Sequence, residues 1–328
     1  MAVLVTGGAG YIGSHTVLEL LNRKEKVVVI DNLVKGHREA IKGGTFYQGD
    51  LRDEDFLCNV FEENEIQEVI HFAAYSLVGE SVEDPIKYYN NNVVGTIQLL
   101  STMKRYGVKN IVFSSTAAVY GEPINIPILE EDATIPTNPY GESKLAIEKA
   151  LKWANKSGDI NYIALRYFNA AGANKDGCIG EDHSPETHLI PIILEAALGK
   201  RERVFIYGDD YDTPDGTCIR DYIHVVDLAE AHILALDKLR REGESGIYNL
   251  GNGRGFSVKE VIDKAKKVTG INIPVKIGER RLGDPAVLVA SSKKAKKELN
   301  WNPKYNDLEK IIEDAWNWHK NNLNGYRR

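Results

Sequence analysis

Three glycines directly after the first apolar run of the chain constrain its fold more than any other feature. Gly7, Gly10 and Gly13 follow Val5 with the spacing G-x-x-G-x-x-G, a variant of the dinucleotide-binding fingerprint. In this interpretation Gly7 permits a tight turn, Gly10 lets backbone N–H groups approach a diphosphate, and Gly13 lets the next helix pack on the strand. The positive end of a helix that begins near Tyr11 would face the phosphates. The turn therefore predicts a bound dinucleotide.

The segment after this turn indicates which dinucleotide binds. An amphipathic stretch over residues 17–21 predicts a helix, and the β-rich run 27–30 that follows it ends in Asp31. An acid at the end of the second strand, about 20 residues after the glycines, is placed to accept hydrogen bonds from an adenosine ribose diol. Because its charge would repel a 2′-phosphate, the sequence predicts NAD rather than NADP.

Composition excludes several other classes of function. The 328 residues carry a net charge of −6, so nucleic acid is not expected as the main partner. Three cysteines without paired spacing indicate reduced thiols rather than a disulfide framework. No apolar run approaches the length of a membrane helix, and the N-terminus has the pattern of a strand rather than of a signal peptide. We therefore expect a cytoplasmic protein with no membrane partner.

Alternating strand and helix signals in the first half predict an α/β fold. We expect a Rossmann-type, doubly wound parallel sheet with a smaller, mixed α/β C-terminal substrate domain. Residues 1–170 are predicted to form the NAD-binding domain and residues 171–328 the substrate-binding domain, with a segment of about 220–255 returning to the larger one. Helices are predicted near residues 53–63, 86–106, 140–156, 227–239, 258–269, 293–299 and 308–321.

A tyrosine and a lysine four residues apart are the strongest candidates for catalysis. Tyr140 and Lys144 follow Pro139 at the start of a predicted helix, which places both on one helical face. A free tyrosine is a poor base at neutral pH, whereas a nearby ammonium and a cationic nicotinamide favour the phenolate. The fifth strand ends in the hydroxyl residues 114–116, and these are expected to bind the same substrate oxygen as Tyr140.

Many further segments share the order and content of one known family. The chain resembles the extended short-chain dehydrogenases/reductases, and within them the nucleotide-sugar 4-epimerases, over essentially its whole length. The resemblance is carried by the segments 5–15, 31–33, 71–73, 78–81, 89–93, 119–121, 139–141, 166–169, 220–224 and 248–251.

This resemblance implies a reaction at C4 of a UDP-hexose. Tyr140 would take the proton of the 4-hydroxyl while C4 gives a hydride to tightly held NAD, and the transient 4-keto sugar would then receive the hydride on its other face. Thr116 matches the family's catalytic serine or threonine, and Lys144 matches its lysine. The implied activity is the interconversion of UDP-galactose and UDP-glucose, with a UDP-uronic acid 4-epimerase or a related nucleotide-sugar enzyme as the alternative.

The resemblance also implies the residues around both ligands. The cofactor would be lined by Gly7, Gly10, Tyr11, Ile12, Gly13, Asp31, Asn32, Asp50, Leu51, Phe72, Ala73, Asn91, Lys144 and Phe168. The UDP-sugar would be bound by Thr116, Tyr140, Asn169, Leu189, Tyr207, Arg220, Arg281, Asp284 and Leu288. Guanidinium groups such as those of Arg220 and Arg281 suit a diphosphate.

Three positions depart from the family pattern. Ser76 replaces a lysine that helps to hold the cofactor in many members, and His188 replaces an asparagine before the Leu-x-Pro segment. Leu288 stands where some members have a tyrosine that would crowd a 2-acetamido group. We therefore hypothesise that UDP-N-acetylglucosamine and UDP-N-acetylgalactosamine are also substrates.

Other interpretations receive less support from the residues. Nucleotide-sugar 4,6-dehydratases need an acid and a base after the threonine, where this chain has the inert pair 117–118, both alanine. A non-catalytic NAD or nucleotide-sugar sensor would not need Thr116, Tyr140 and Lys144 together. The remaining candidate is a metal site formed by Glu181, Asp182, His183, Glu186 and His188. Because the implied reaction needs no metal, we interpret this segment as a polar loop.

The helices near 86–106 and 140–156 have more apolar surface than one sheet face requires. In the resembled family these two helices pair across a dimer as a four-helix bundle. The sequence therefore predicts a homodimer formed through them.

Overall fold

A computed structural model describes residues 1–281 and 284–326 of the chain. Strands and helices alternate through its first half, as the sequence predicts. These elements are β1 (Ala2–Thr6), α1 (Tyr11–Asn22), β2 (Val27–Asp31), β3 (Thr45–Gln48), α2 (Glu54–Glu63), β4 (Ile66–His71), α3 (Val78–Glu83), α4 (Pro85–Tyr88), α5 (Gly95–Arg105), β5 (Asn110–Ser114), α6 (Pro139–Lys156) and β6 (Asn161–Tyr167).

The second half combines short strands with longer helices. Its elements are β7 (Asn169–Ala171), α7 (Leu189–Ala197), β8 (Val204–Tyr207), β9 (Ile219–Arg220), β10 (Tyr222–His224), α8 (Val225–Glu242), β11 (Gly246–Leu250), β12 (Phe256–Ser257), α9 (Val258–Thr269), β13 (Val275–Gly278), β14 (Val287–Leu288), α10 (Lys293–Glu298) and α11 (Leu308–Asn321). Within the described residues, none of these helices is long and apolar enough to cross a bilayer.

Seven parallel strands form the central sheet in the order β11-β6-β5-β4-β1-β2-β3. The order 3-2-1-4-5-6 is that of doubly wound dinucleotide-binding sheets, in which the chain reverses its winding direction beside β1. β11 adds a seventh strand next to β6, so the chain returns to this sheet after leaving it at Tyr167. The predicted fold class is confirmed.

Both faces of the sheet are buried under helices, which explains why its strands read as nearly continuous apolar runs. Val3, Val5 and Val29 face one core, which α1 and α8 cover. Leu4 and Val28 face the other, which α2, α5 and α6 cover. This alternation along adjacent strands follows from the two-residue period of side-chain direction.

A separate apolar core lies in the second half of the chain. Helices α7, α9 and α11 contribute Ile193, Val261 and Ile311 to it, and all three side chains are fully buried. Two small sheets flank this core, namely the parallel pair β8–β13 and the three strands β12-β9-β14. β9 and β14 supply residues that the sequence assigns to the substrate.

Three helical segments differ from the sequence prediction, and the short helix α3 (Val78–Glu83) is one that the sequence does not predict. Helix α7 was not predicted, because its apolar residues surround the helix and Pro191 lies in its first turn, where the missing N–H has no intrahelical role. The helix predicted over 86–106 is present, but a π-helical turn over Tyr89–Val94 joins α4 to α5. A hydrophobic period of 3.6 does not signal such a turn, and π-turns are frequent at functional sites.

Candidate active site

The glycine turn brings the end of β1 directly against the end of β4. Gly7 has φ +70°, and a Cβ atom there would lie 2.5 Å from the backbone nitrogen of Ala73. Gly13 packs so closely on the carbonyl oxygen of Gly7 that a side chain would collide with it. The backbone nitrogens of Phe72 and Ala73 both donate to the carbonyl oxygen of Thr6, at 2.9 and 3.2 Å. Larger residues at 7 and 13 would push these segments apart.

The start of α1 presents backbone donors at this turn. Ser14 makes the first intrahelical bond, to the carbonyl oxygen of Gly10 at 2.9 Å, so the N–H groups of Tyr11, Ile12 and Gly13 precede the helical ladder. A Cβ atom on Gly10 would meet the carbonyl oxygen of Gly7 at 3.3 Å, the nearest contact of that position. Open space beside uncapped N–H groups at a helix N-terminus fits the diphosphate of a dinucleotide.

Asp31, at the end of β2, is buried beside the same turn. Its two carboxylate oxygens accept hydrogen bonds from the backbone nitrogens of Ala9 (3.0 Å) and Leu33 (2.9 Å). Burial raises the pKa of Asp31, and these two hydrogen bonds only partly oppose the effect. Each oxygen has a further lone pair, so the carboxylate can also accept ribose hydroxyl groups.

Asp50 lies one strand further toward the sheet edge, after β3. Arg52 donates to both of its carboxylate oxygens, at 2.8 and 2.7 Å, and lowers the pKa of Asp50 to about 2. The side-chain nitrogen of Asn32 approaches the same carboxylate at 3.4 Å. Leu51 is buried in the sheet core behind them. Asp31, Asn32 and Asp50 therefore lie near the ends of the adjacent parallel strands β2 and β3.

The π-turn between α4 and α5 borders the site on its other side. Asn92 donates to the Ser143 hydroxyl (3.1 Å) and to the Tyr75 carbonyl oxygen (3.0 Å), while its own oxygen accepts from the side chain of Asn91 (3.0 Å). Asn92 is fully buried and therefore ties this turn to helix α6. Sequence reasoning named Asn91 but missed Asn92, whose contacts join residues 51 positions apart.

Helix α6 holds Lys144 at the bottom of the site. Asn138 caps this helix and Pro139 is its first residue, so its start is sharply defined. The Lys144 ammonium nitrogen donates to the carbonyl oxygen of Ser114 at 2.8 Å and lies 4.9 Å from the centre of the Phe113 ring. Burial lowers the pKa of Lys144 to about 7.

Tyr140 is half-buried one turn before Lys144 and meets Thr116, which follows β5. Burial raises the pKa of the Tyr140 phenol, and the nearby Thr116 hydroxyl offsets part of this rise. The Thr116 hydroxyl oxygen also accepts from the Ala118 backbone nitrogen at 3.1 Å, which fixes its rotamer. The structure therefore brings Tyr140, Lys144 and Thr116 together, and burial alone does not favour the phenolate.

The serines beside Thr116 have other partners than expected. The Ser115 hydroxyl donates to Glu148 at 2.5 Å, inside a buried ion pair between Glu148 and Arg166. The Ser114 hydroxyl is 2.6 Å from the phenol oxygen of Tyr167. The expectation that all three hydroxyl groups reach one substrate oxygen is therefore wrong for Ser115, because successive residues of an extended chain point to opposite sides.

Residues assigned to the UDP-sugar surround the small sheet β12-β9-β14. Arg220 forms an ion pair with Asp284 and stands opposite Leu288 in the β9–β14 register. The Arg281 guanidinium stacks 4.0 Å from the centre of the Tyr207 ring. Two arginines on one side of the site can bind a diphosphate, although Arg220 must share its charge with Asp284.

The remaining assigned residues lie on several other elements of the fold. Leu288 and Phe168 pack on the apolar cluster that includes Ala117. The Asn169 side chain donates to the Asp221 carbonyl oxygen at 3.2 Å. Leu189 is the first residue of α7. Phe72 lies with its ring 4.5 Å from that of His232, a neighbour that the sequence did not signal.

Comparison with known proteins identifies the relatives of this chain. Residues 3–251 match the NAD dependent epimerase/dehydratase family. A UDP-glucose 4-epimerase of Halalkalibacterium halodurans is 63% identical over 99% of this chain and 98% of its own length. A crystal structure of UDP-glucose 4-epimerase is 56% identical, covers 100% of both chains and has a TM-score of 0.99. The UDP-glucose 4-epimerase of Bifidobacterium longum in complex with NAD+ and UDP is 45% identical over 99% of this chain and 100% of that one, with a TM-score of 0.94.

The lowered pKa of Lys144 predicts a pH-dependent stability. The unfolded chain keeps this proton up to a pKa near 10.4, so above pH 7 the unfolded state binds more protons and native stability rises with pH. Relative to Lys144→Met, we expect the free energy of unfolding of the wild type to increase by roughly 2 kcal/mol from pH 7 to pH 9. Urea unfolding of nucleotide-stripped protein measures this increase, with Lys152→Met on the exposed side of the same helix as control. If the stability difference between wild type and Lys144→Met does not change with pH, the lowered pKa of Lys144 is contradicted.

Proposed function

The chain belongs to the NAD dependent epimerase/dehydratase family, and we propose that it interconverts UDP-galactose and UDP-glucose by inverting C4 of the hexose. The observation that carries this proposal is the meeting of Tyr140, Thr116 and Lys144 beside the glycine turn. The chain matches relatives named UDP-glucose 4-epimerase over nearly their whole length. This similarity favours a UDP-hexose over a UDP-uronic acid as substrate.

NAD is the cofactor of this enzyme. When bound, it accepts a hydride from C4 of the sugar and returns it, and its cationic nicotinamide favours the tyrosine phenolate. The backbone donors at the start of α1 would hold its diphosphate, and Asp31 would accept hydrogen bonds from the adenosine ribose. Lys144, fixed by the Ser114 carbonyl oxygen, would donate to the nicotinamide ribose.

Tyr140 is the general base and acid of the proposed reaction. Its phenolate takes the proton of the 4-hydroxyl as the 4-keto sugar forms, and returns it after the sugar has turned its other face. Thr116 would hydrogen-bond the same sugar oxygen, as the family resemblance implies, and the bond from the Ala118 backbone nitrogen holds its hydroxyl oxygen in place. Because burial disfavours the Tyr140 phenolate, the cationic charge of Lys144 and of the cofactor must offset that cost.

Binding of the nucleotide-sugar is assigned to the opposite side of the site. Arg220 and Arg281 would pair with the diphosphate, and the ion pair with Asp284 would hold Arg220 in position. Tyr207, Asn169 and Leu189 would bind the remainder of the UDP moiety, as the family resemblance implies. The Ala117 and Ala118 side chains cannot move protons, which argues against dehydration at C5 and C6.

Replacing the phenol tests the catalytic proposal. Tyr140→Phe should lower kcat for UDP-galactose by about 10²–10⁴-fold, because it removes the proton acceptor, while leaving substrate affinity within a few-fold. The assay follows UDP-glucose formation without added NAD, with UDP-glucuronic acid as a second substrate. Tyr47→Phe removes a phenol at the distant edge strand and should keep full activity. An active Tyr140→Phe enzyme would exclude this residue as the base.

Leu288 supports a broader substrate range. It packs on the cluster of Ala117 and Val119 and lies opposite Arg220, between the catalytic end of β5 and the proposed diphosphate site. A tyrosine at this position would extend a ring into the space around the sugar. We therefore propose that leucine leaves room for a 2-acetamido group, so that N-acetylated UDP-hexoses are also epimerised.

A single exchange distinguishes these two substrate ranges. In Leu288→Tyr, the ratio of kcat/KM for UDP-N-acetylgalactosamine to that for UDP-galactose should fall at least tenfold, through about 1–3 kcal/mol of steric discrimination. Leu288→Met keeps the volume of the side chain and should keep the ratio. Equal ratios for wild type and Leu288→Tyr would disprove the role of this position.

Assembly as a homodimer is supported by an apolar surface on α3, α4–α5 and α6. Ile86, Ile97 and Trp153 are 74%, 43% and 68% exposed, values unusual for such large apolar side chains. Val78, Val82, Tyr89 and Val94 extend the same surface. We propose that two copies bury these helices against each other as a four-helix bundle.

Light scattering after gel filtration tests this assembly. The wild type should have about twice the chain mass of 36.6 kDa, whereas Ile97→Glu should shift toward the monomer because a buried carboxylate would lack a partner. Ile271→Glu changes an exposed isoleucine after α9 and should leave the dimer intact. A monomeric wild type at micromolar concentration contradicts the proposal.

Two other sequence predictions stay proposals. The division into an NAD-binding domain of residues 1–170 and a substrate-binding domain of 171–328, with a return near 220–255, accords with the separate core around α7, α9 and α11 and with β11 in the main sheet. A cytoplasmic location accords with three cysteines that are unpaired among residues 1–281 and 284–326.

A further inference from the structure

Four side chains of the loop before α7 converge on one point. The donor atoms of Glu181, His183, Glu186 and His188 all lie within 4.8 Å of one another. The Glu181 oxygen Oε1 is 3.1 Å from Nδ1 of His183 and 2.7 Å from Nδ1 of His188. Oε2 of Glu186 lies 3.8 Å from Nδ1 of His183, and Oε1 of Glu186 lies 3.3 Å from Nδ1 of His188. Neither the proposed reaction nor the core uses this cluster.

Two donor atoms of this cluster are buried but make no hydrogen bond with the described residues. Oε1 of Glu181 and Nδ1 of His183 are buried, and neither has a hydrogen-bond partner within the described part of the chain. Glu181 itself is only 4% exposed. A native structure rarely leaves such atoms unsatisfied unless a water or an ion completes them. A metal ion requires donor lone pairs that point toward one centre, whereas a hydrogen bond requires an N–H group that points toward an acceptor.

The donor set and its spacing select the class of ion. Two imidazole nitrogens and two carboxylate oxygens suit zinc and related divalent transition metals. Around such an ion, with bonds of about 2.0–2.1 Å, tetrahedral donors lie about 3.3 Å apart. The nitrogen–oxygen distances from 2.7 to 3.8 Å, measured to Oε1 of Glu181 and to both oxygens of Glu186, lie on either side of that value. We propose that Glu181, His183, Glu186 and His188 bind one divalent transition metal of the zinc class.

Neighbouring groups hold the proposed ligands in position, as outer contacts do in metal sites. The Glu186 oxygen Oε1 accepts from the backbone nitrogens of Thr187 (2.7 Å) and His188 (2.8 Å), which fixes the carboxylate. The Glu181 carbonyl oxygen accepts from the indole of Trp318 at 3.0 Å. His183 and His188 are 26% and 45% exposed, so a metal ion can enter from solvent.

The metal would have a structural role at the junction between the two halves of the chain. The His183 ring contacts the edge of Tyr11, at 6.3 Å between ring centres, and Tyr11 begins α1 and donates to the Gly172 carbonyl oxygen at 2.6 Å. Leu189, the first residue of α7, directly follows the ligand His188. One ion would thus fix the loop before α7 where it packs against the start of α1.

A network without metal is the competing arrangement. Burial opposes charge on both groups, but mutual attraction outweighs it, so that the pKa of Glu181 is lowered to about 2 and that of His188 is raised to about 10. A protonated His188 beside an ionised Glu181 would give a stable ion pair. Such a pair leaves Nδ1 of His183 without a hydrogen-bond partner among the described residues and would not depend on added metal.

Metal analysis of the untagged, full-length protein separates the two arrangements. After expression with zinc and purification without chelators, mass spectrometry should find about one zinc per chain, because a preformed set of four donors binds tightly. Removal with a chelator should lower the Tm, and Zn²⁺ alone should restore it. His183→Gln and Glu186→Gln should each reduce bound zinc at least tenfold, whereas Asp182→Asn, a neighbouring acid outside the donor set, should retain it.

Two results would overturn the proposal. The first is a wild type that binds no zinc and whose Tm does not respond to chelator or Zn²⁺, which would establish the ion pair alone. The second is equal zinc content in wild type, His183→Gln and Glu186→Gln, which would place the metal elsewhere. If His183→Gln fails to fold, Glu186→Gln decides, because its amide oxygen can still accept from Thr187 and His188. Tyr140→Phe should bind zinc normally, so this result and the proposed catalytic function can fail independently.

Discussion

Helix α6 carries Tyr140 and Lys144, and a buried ion pair fixes its position on the sheet. Arg166 of β6 and Glu148 of α6 meet at 2.6 Å, with side chains only 4% and 3% exposed. The Ser115 hydroxyl and the Tyr120 phenol complete the hydrogen bonding of this pair. Because an unpaired charge at this depth would cost several kcal/mol, α6 cannot shift along the sheet without breaking the whole network. The backbone positions of Tyr140 and Lys144 are therefore fixed relative to the sheet.

The glycine turn and α6 face the same edge of the sheet because all seven strands are parallel. The carboxyl ends of β1, β4 and β5 therefore lie side by side, and the winding direction reverses next to them. Gly7 and Gly13 let α1 approach this edge closely, while Thr116 follows β5 at the same level. The backbone donors at the start of α1 and the side chain of Thr116 thus lie at the same edge of the sheet, one strand apart across β4.

Much of this arrangement could be predicted from short segments. The glycine spacing, Asp31 after β2, and the Tyr140–Lys144 pair are local patterns, and the helices Val258–Thr269 and Leu308–Asn321 have the predicted bounds. The failures share a cause, since each depends on partners distant in sequence. Ser115 turns toward Glu148, and α7 is stabilised by a core that α9 and α11 complete.

The amino-acid sequence by itself determined the fold class and the cofactor and offered candidate reactive groups, because period, spacing and residue chemistry act within a few turns of chain. Only the tertiary structure decided which of those groups meet. It set Leu288 opposite Arg220, bound Asn92 to Ser143, and brought the four donors of the loop before α7 to one point. These contacts depend on how buried surfaces pack, and packing joins residues whose separation along the chain carries no signal.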